Sequence, residues 1–197
     1  MIGDANRDVA NVADVLDPQF VLRVVHAVRT RDATYPVTVD PTWSTDAKLT
    51  ASRGFTGDCF GASVALDGDT AIIGAYNAGF GANTQRGSVY VFERSDSSWR
   101  QITKLTASDG SYYGRFGSSV ALDGETVIIW ATTDGDDRQG AAYIFERSGC
   151  ACSEVAKLIA VDGVKDNSFG DFIALNGDTG LVGTYVMDVG GNTRLGR

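Results

Sequence analysis

The chain of 197 residues is 43% hydrophobic and carries 24 Gly but only 3 Pro, which suits one domain, or one and a part, with a sizeable core and many tight turns. Its net charge of −8 and sequence pI near 4.5 repel phosphate backbones, so nucleic acid is excluded as the expected partner. Cys59, Cys150 and Cys152 imply no disulfide framework, because their number is odd and the last two stand too close for an easy mutual bridge.

Residues 1–42 read as a non-repeat extension. The opening octet is polar and lacks a basic region followed by an apolar stretch, so it is not expected to be a signal peptide. Asp4, Asn6 and Asp8 have the opening spacing of an EF-hand-type calcium loop. Val9 stands where that loop needs Gly, however, and Asp14 falls one residue short of the closing acid. The competing reading is a polar turn with a short helix from Asn11. Residues 20–31 are apolar and β-branched and predict one strand or two. His26, the only histidine, lies in this run and reads as a strand or interface residue rather than a catalytic one. Pro36 and Pro41 mark an extended lead-in. Nowhere does an apolar run reach the length of a transmembrane helix.

From Trp43 onward the chain repeats itself. Lys48-Leu-Thr-Ala-Ser returns from Lys104 and, worn, as Lys157-Leu-Ile-Ala-Val. Phe60-Gly61 returns as Phe116-Gly117 and Phe169-Gly170, at spacings of 56 and 53. Ala65-Leu-Asp-Gly-Asp-Thr returns from Ala121 and Ala174, with Glu and Asn replacing one residue each. Val89-Tyr-Val-Phe-Glu-Arg-Ser returns as Ala142-Tyr-Ile-Phe-Glu-Arg-Ser. The extra residues of the first unit fall between Ile73 and Val89, so a fixed frame carries one variable loop.

Within a unit four strands are predicted, near 63–66, 70–75, 88–94 and 99–107. An Asp67-Gly68 hairpin turn joins the first two, and residues 76–87 form the variable loop. Alternation places Val89 and Val91 on one face of the third strand and Tyr90 and Phe92 on the other. Four short antiparallel strands in one unit match a propeller blade. The expected fold is all-β, with antiparallel blades at 48–103 and 104–156 and an incomplete one at 157–197. Each Phe-Gly reads as blade packing, the Phe filling the gap and the Gly letting the backbone bend or approach closely.

These motifs, in this order and at this spacing over 43–184, resemble the FG-GAP repeat. That resemblance implies the β-propeller of integrin α-chains and related surface proteins. It implies a binding or adhesion role and an extracellular, cell-surface or lumenal setting. The family's calcium loop is reduced here to Asp67-Gly68-Asp69 and its counterparts, too short to wrap a calcium ion. Its rings commonly have more blades than the two full units and one part found here, so open edges are expected to invite a partner.

Cation candidates are Asp134, Asp136 and Asp137, three carboxylates in the second variable loop, with calcium the expected ion and an ordinary solvated loop the alternative. Partner-binding candidates are the loop residues Tyr76, Phe80, Arg86, Tyr112 and Tyr113. No nucleophile and base stand in a recognisable pattern, since any triad would depend on His26. The expected function is therefore non-catalytic protein binding. A structural subunit of a homo- or hetero-oligomeric assembly is the alternative, and a hydrolase on a propeller scaffold comes third.

Overall fold

The computed structural model describes residues 22–27, 43–79, 85–96, 98–134, 139–160 and 169–184. Every strand pair in it is antiparallel. Strands β1 (Leu22–Ala27) and β2 (Trp43–Leu49) form a two-stranded sheet. The first complete blade is β3 (Phe60–Asp67), β4 (Thr70–Ala75), β5 (Ser88–Ser95) and β6 (Ser98–Leu105). The second is β7 (Phe116–Asp123), β8 (Thr126–Ala131), β9 (Ala141–Ser148) and β10 (Ala151–Leu158). A final pair, β11 (Phe169–Asn176) and β12 (Thr179–Thr184), repeats the first two strands of a blade.

Alternation sorts side chains between two cores, as the sequence predicts. Val89 and Val91 join the core between the two blades, together with Phe116, Val120, Val127, Ile129, Tyr143 and Phe145 of the second. Tyr90 and Phe92 face the other way, into a core with Leu49, Phe60 and Ile73. The second blade's far face, Ala121, Ile128 and Trp130, receives Ile173, Leu175 and Val182 of the last pair. Each blade therefore has one face toward its predecessor and one toward its successor.

The turns explain two recurring sequence features. Asp67 pairs with Thr70, so the two loop residues are Gly68 and Asp69, one place later than expected. Gly68 has φ +53°, the Gly-first choice of a type II′ hairpin. Displaced from the turn, the Asp67 carboxylate accepts the Gly124 N–H of the next blade at 2.7 Å. Asp123 does the same for Gly177 at 2.5 Å. Carboxylates in the hairpins are thus staples between blades. Arg147 adds a third inter-blade contact, donating to Thr70 at 2.8 Å and approaching Glu93 at 3.9 Å.

The N-terminal strand pair has the register of a blade's outer half. β1 pairs with β2 as β5 pairs with β6. In the first hairpin the register slips so that Val24 faces Ala47 and Val25 faces Thr45. In the second, Val91 faces Thr103 and Phe92 faces Gln101, each 56 residues beyond its counterpart on β2. The β9–β10 pair slips at the same place, between Glu154 and Ala156. β1 and β2 are therefore the outer half of a blade that precedes the first complete one.

Candidate functional site

Each complete blade has two unlike ends. Tight hairpins close one end, at 67–70 and 95–98 in the first blade. Long connections leave the other, at 50–59 and 76–87, and again at 106–115 and 132–140. Among the described residues this loop face carries three exposed aromatics, Phe55, Tyr112 and Tyr113. Tyr112 and Tyr113 are 60% and 58% exposed. Arg86 lays its guanidinium over the Tyr112 ring at 5.3 Å, and Arg115 lies over Tyr76 at 5.9 Å. Such stacking orients both partners. Tyr76 is half-buried, and its hydroxyl is raised above the usual tyrosine range, chiefly by a hydrogen bond with Cys59. Phe80, Asp136, Asp137, Asp4, Asn6 and Asp8 lie outside the described residues.

The loop carrying Tyr112 and Tyr113 is held in a costly shape. Tyr113 and Arg115 have φ of +62° and +57°, and Cys59 on the first blade has +58°. The left-handed region costs a non-glycine residue about 1 kcal/mol or more. Hydrogen bonds fix the loop against that cost. Thr133 Oγ1 donates to the Tyr113 carbonyl. The Thr133 N–H donates to the Gly114 carbonyl at 3.3 Å. Ser118 Oγ donates to the Arg115 carbonyl at 2.6 Å.

Beneath this loop lies a buried polar brace. Asp134 is 2% exposed, so it is no solvated loop acid. Its Oδ1 accepts the Ser111 N–H at 2.9 Å and the Ser111 hydroxyl at 2.8 Å. Its Oδ2 accepts the Lys157 ammonium at 2.8 Å and the Tyr143 hydroxyl. Asp109 accepts from the same Lys157 at 2.8 Å, and its Oδ1 lies 2.7 Å from the same Tyr143 hydroxyl, whose single proton the two carboxylates share. Burial alone would raise the Asp134 carboxyl, but the bonds from Lys157, Tyr143 and Ser111 outweigh it and hold the group down to about 2. Burial and these two carboxylates drive the Tyr143 hydroxyl far above its ordinary range. Lys157 would be lowered by burial, yet its bonds to Asp109 and Asp134 keep it above the usual lysine range. A proton-holding phenol and a fully charged ammonium make a brace, not an acid–base pair.

The first blade supports the corresponding backbone N–H from a different position. Asp58 accepts the Phe55 N–H at 2.8 Å, and Phe55 occupies the place that Ser111 occupies in the second blade. Asp58 itself aligns with Gly114, and Ala78 aligns with Asp134. A Cβ on Gly114 would lie 3.1 Å from Asp134 Oδ1. At this aligned pair of positions each blade has one carboxylate, Asp58 in the first and Asp134 in the second. Among the described residues no group of three His, Cys, Asp or Glu is arranged to hold a metal ion. All three cysteines are free.

The FG-GAP repeat family matches the chain in three stretches, 43–92, 99–145 and 152–196. The chain belongs to the FG-GAP repeat family. No curated protein matches it. The three FG-GAP matches start in β2, β6 and β10 and run on through the strands that follow. An FG-GAP unit thus opens on the outer strand of one blade and continues into the next. Sequence reasoning locates Tyr76, Arg86, Tyr112 and Tyr113 on the FG-GAP loop face but misses Phe55, also exposed, and Arg115. Phe55 has a signal: it stands five residues before Phe60, in the first-blade connection that corresponds to the one carrying Tyr112 and Tyr113 before Phe116.

Proposed function

We propose that the protein is a non-catalytic binding module that meets a protein partner through its loop face. One observation carries this reading: Tyr112 and Tyr113 are exposed on a loop whose backbone is strained and then pinned. Preorganised aromatics bind with little ordering cost, and aromatic and arginine side chains dominate binding energy at protein interfaces. The non-catalytic reading is supported by the brace, whose hydroxyl, ammonium and carboxylates satisfy one another beneath the loop. The family extends the proposal to an extracellular, cell-surface or lumenal adhesion role.

A photo-crosslinking residue at position 112 tests it in source cells. The expected result is one discrete protein adduct, absent when the same residue replaces Glu125 on the hairpin face. Equal labelling from both positions, or from neither, contradicts a loop-face site.

A second reading, a structural subunit of a larger assembly, rests on a separate observation. Val64 is 53% exposed on the first blade, whereas its counterpart Val120 is 8% exposed because the first blade covers it. A sheet face built for a neighbour stands open.

A further inference from the structure

We infer that a second copy of this chain completes its half-blades, the β11–β12 pair of one copy joining the β1–β2 pair of the next, so that two copies close one ring. The inference rests on the second reading above and leaves the loop-face proposal untouched.

The two half-blades are complementary. β11 and β12 repeat β7 and β8 at a constant offset, including the register slip after the leading Phe. They are the inner half of a blade. β1 and β2 repeat β5 and β6, including their slip, and are the outer half. In each complete blade the second strand pairs along its length with the third, as Thr70 to Glu93 and Ala75 to Ser88. Among the described residues β12 has no partner on that edge, and neither has β1. Joining them gives the strand order of a complete blade.

The exposed side chains fall where such a join would cover them. Leu66 and Val64 point from β3 toward the place of a preceding inner half-blade. Leu181 is 67% exposed on the opposite face of β12. Its counterparts are Ile72, buried against the second blade, and Ile128, buried against β11 and β12. Leu158 gives a third marker. Leu49 and Leu105 at the same place are 3% and 5% exposed, each covered by the blade that follows, whereas Leu158 is 41% exposed. It lies where the outer half of the next blade is absent among the described residues. A second copy would set Leu181 over Leu66 and Val64, and its own β1–β2 beside Leu158. Asn176 would take the stapling place of Asp67 and Asp123.

Closure follows from counting. Among the described residues, two complete blades and one composite blade make three per copy. Propellers close with about 4 to 8 blades, so two copies suffice and give about six. The contact is head-to-tail, and a head-to-tail contact that closes leaves no sheet edge open.

Light scattering on the full chain tests this. The expected mass is twice the 20.8 kDa of one chain. Leu66→Asp and Leu181→Asp each lie on an exposed site and are expected to yield monomers with unchanged far-UV circular dichroism. Mixing the two variants is expected to restore a dimer, because the intact tail of one meets the intact head of the other. If either variant loses its far-UV signal, Val64→Asp or Phe172→Asp replaces it. A monomeric wild-type chain overturns both this inference and the structural-subunit reading. A particle holding one copy with a different protein overturns self-pairing alone and supports that reading. A wild-type dimer whose variants stay dimeric, or whose mixture stays monomeric, shows a different contact and overturns the join.

Discussion

Gly74→Ala is expected to destabilise the chain by about 3 kcal/mol or more, among the largest single-residue effects for so small a change. A Cβ at Gly74 would lie 2.1 Å from the Gly117 carbonyl oxygen and 2.1 Å from Ser63 Oγ. The first is backbone of the neighbouring blade and cannot swing aside. The second is already committed, since Ser63 Oγ donates to the same carbonyl at 2.7 Å. The methyl must therefore push the blades apart where Ile72, Val89 and Val120 pack. A thermal melt should show a drop of roughly 10 °C, taking about 2–4 °C per kcal/mol for a chain of this size. Gly149→Ala is the control. Its φ is +57°, but no atom lies within 4 Å of the added Cβ, so only about 1 kcal/mol of backbone strain is expected. Equal losses from both substitutions would mean that the blades do not approach at Gly74.

Moving the first blade's carboxylate to the second blade's position should nearly restore a loss that either step alone causes. Asp58→Gly removes the acceptor for the Phe55 N–H, at a cost of about 1–3 kcal/mol. Ala78→Asp alone adds a second carboxylate to a site 1% exposed, beside the one already there, and is expected to cost at least as much. Together they recreate the Gly114 and Asp134 pairing of the second blade. Urea melts of the two single variants and the double should give a favourable coupling close to the sum of the two single losses, about 2 kcal/mol or more. Simple additivity would show that Asp58 and Asp134 do different work.

Local rules carry most of the fold. Strict alternation in Val89-Tyr-Val-Phe decides which side chains enter which core, and the Asp-Gly pairs mark the hairpins. What the local rules do not show is the second use of Asp67. Its carboxylate serves the next blade, and nothing within a few residues of it says so. The N-terminal half-blade is hidden for another reason. β1 shares with β5 a backbone register and its slip, not letters, and register is set by pairing partners rather than by composition. Only Trp43, placed as Trp99 is, hints at it.

The site is legible where it is exposed and obscure where it is buried. Tyr112 and Tyr113 stand out in any reading of a polar connection. Asp134 groups with Asp136 and Asp137 as one acidic loop in sequence, because neighbours along the chain invite a shared role. Its burial depends on Gly114, twenty residues earlier, leaving room for the carboxylate, and on Lys157, which lies on the last strand of the blade. Comparison of units at single positions, Asp58 with Gly114 and Ala78 with Asp134, is the signal that exposes it.

The loop face as binding surface is tested most directly by hydrogen exchange on the particle isolated from its source, compared with the recombinant chain alone. Added protection is expected in residues 106–115, around Tyr112 and Tyr113, with none at the hairpin turns 67–70 and 123–126. Protection confined to those hairpins, with 106–115 exchanging equally in both samples, would contradict a partner on the loop face.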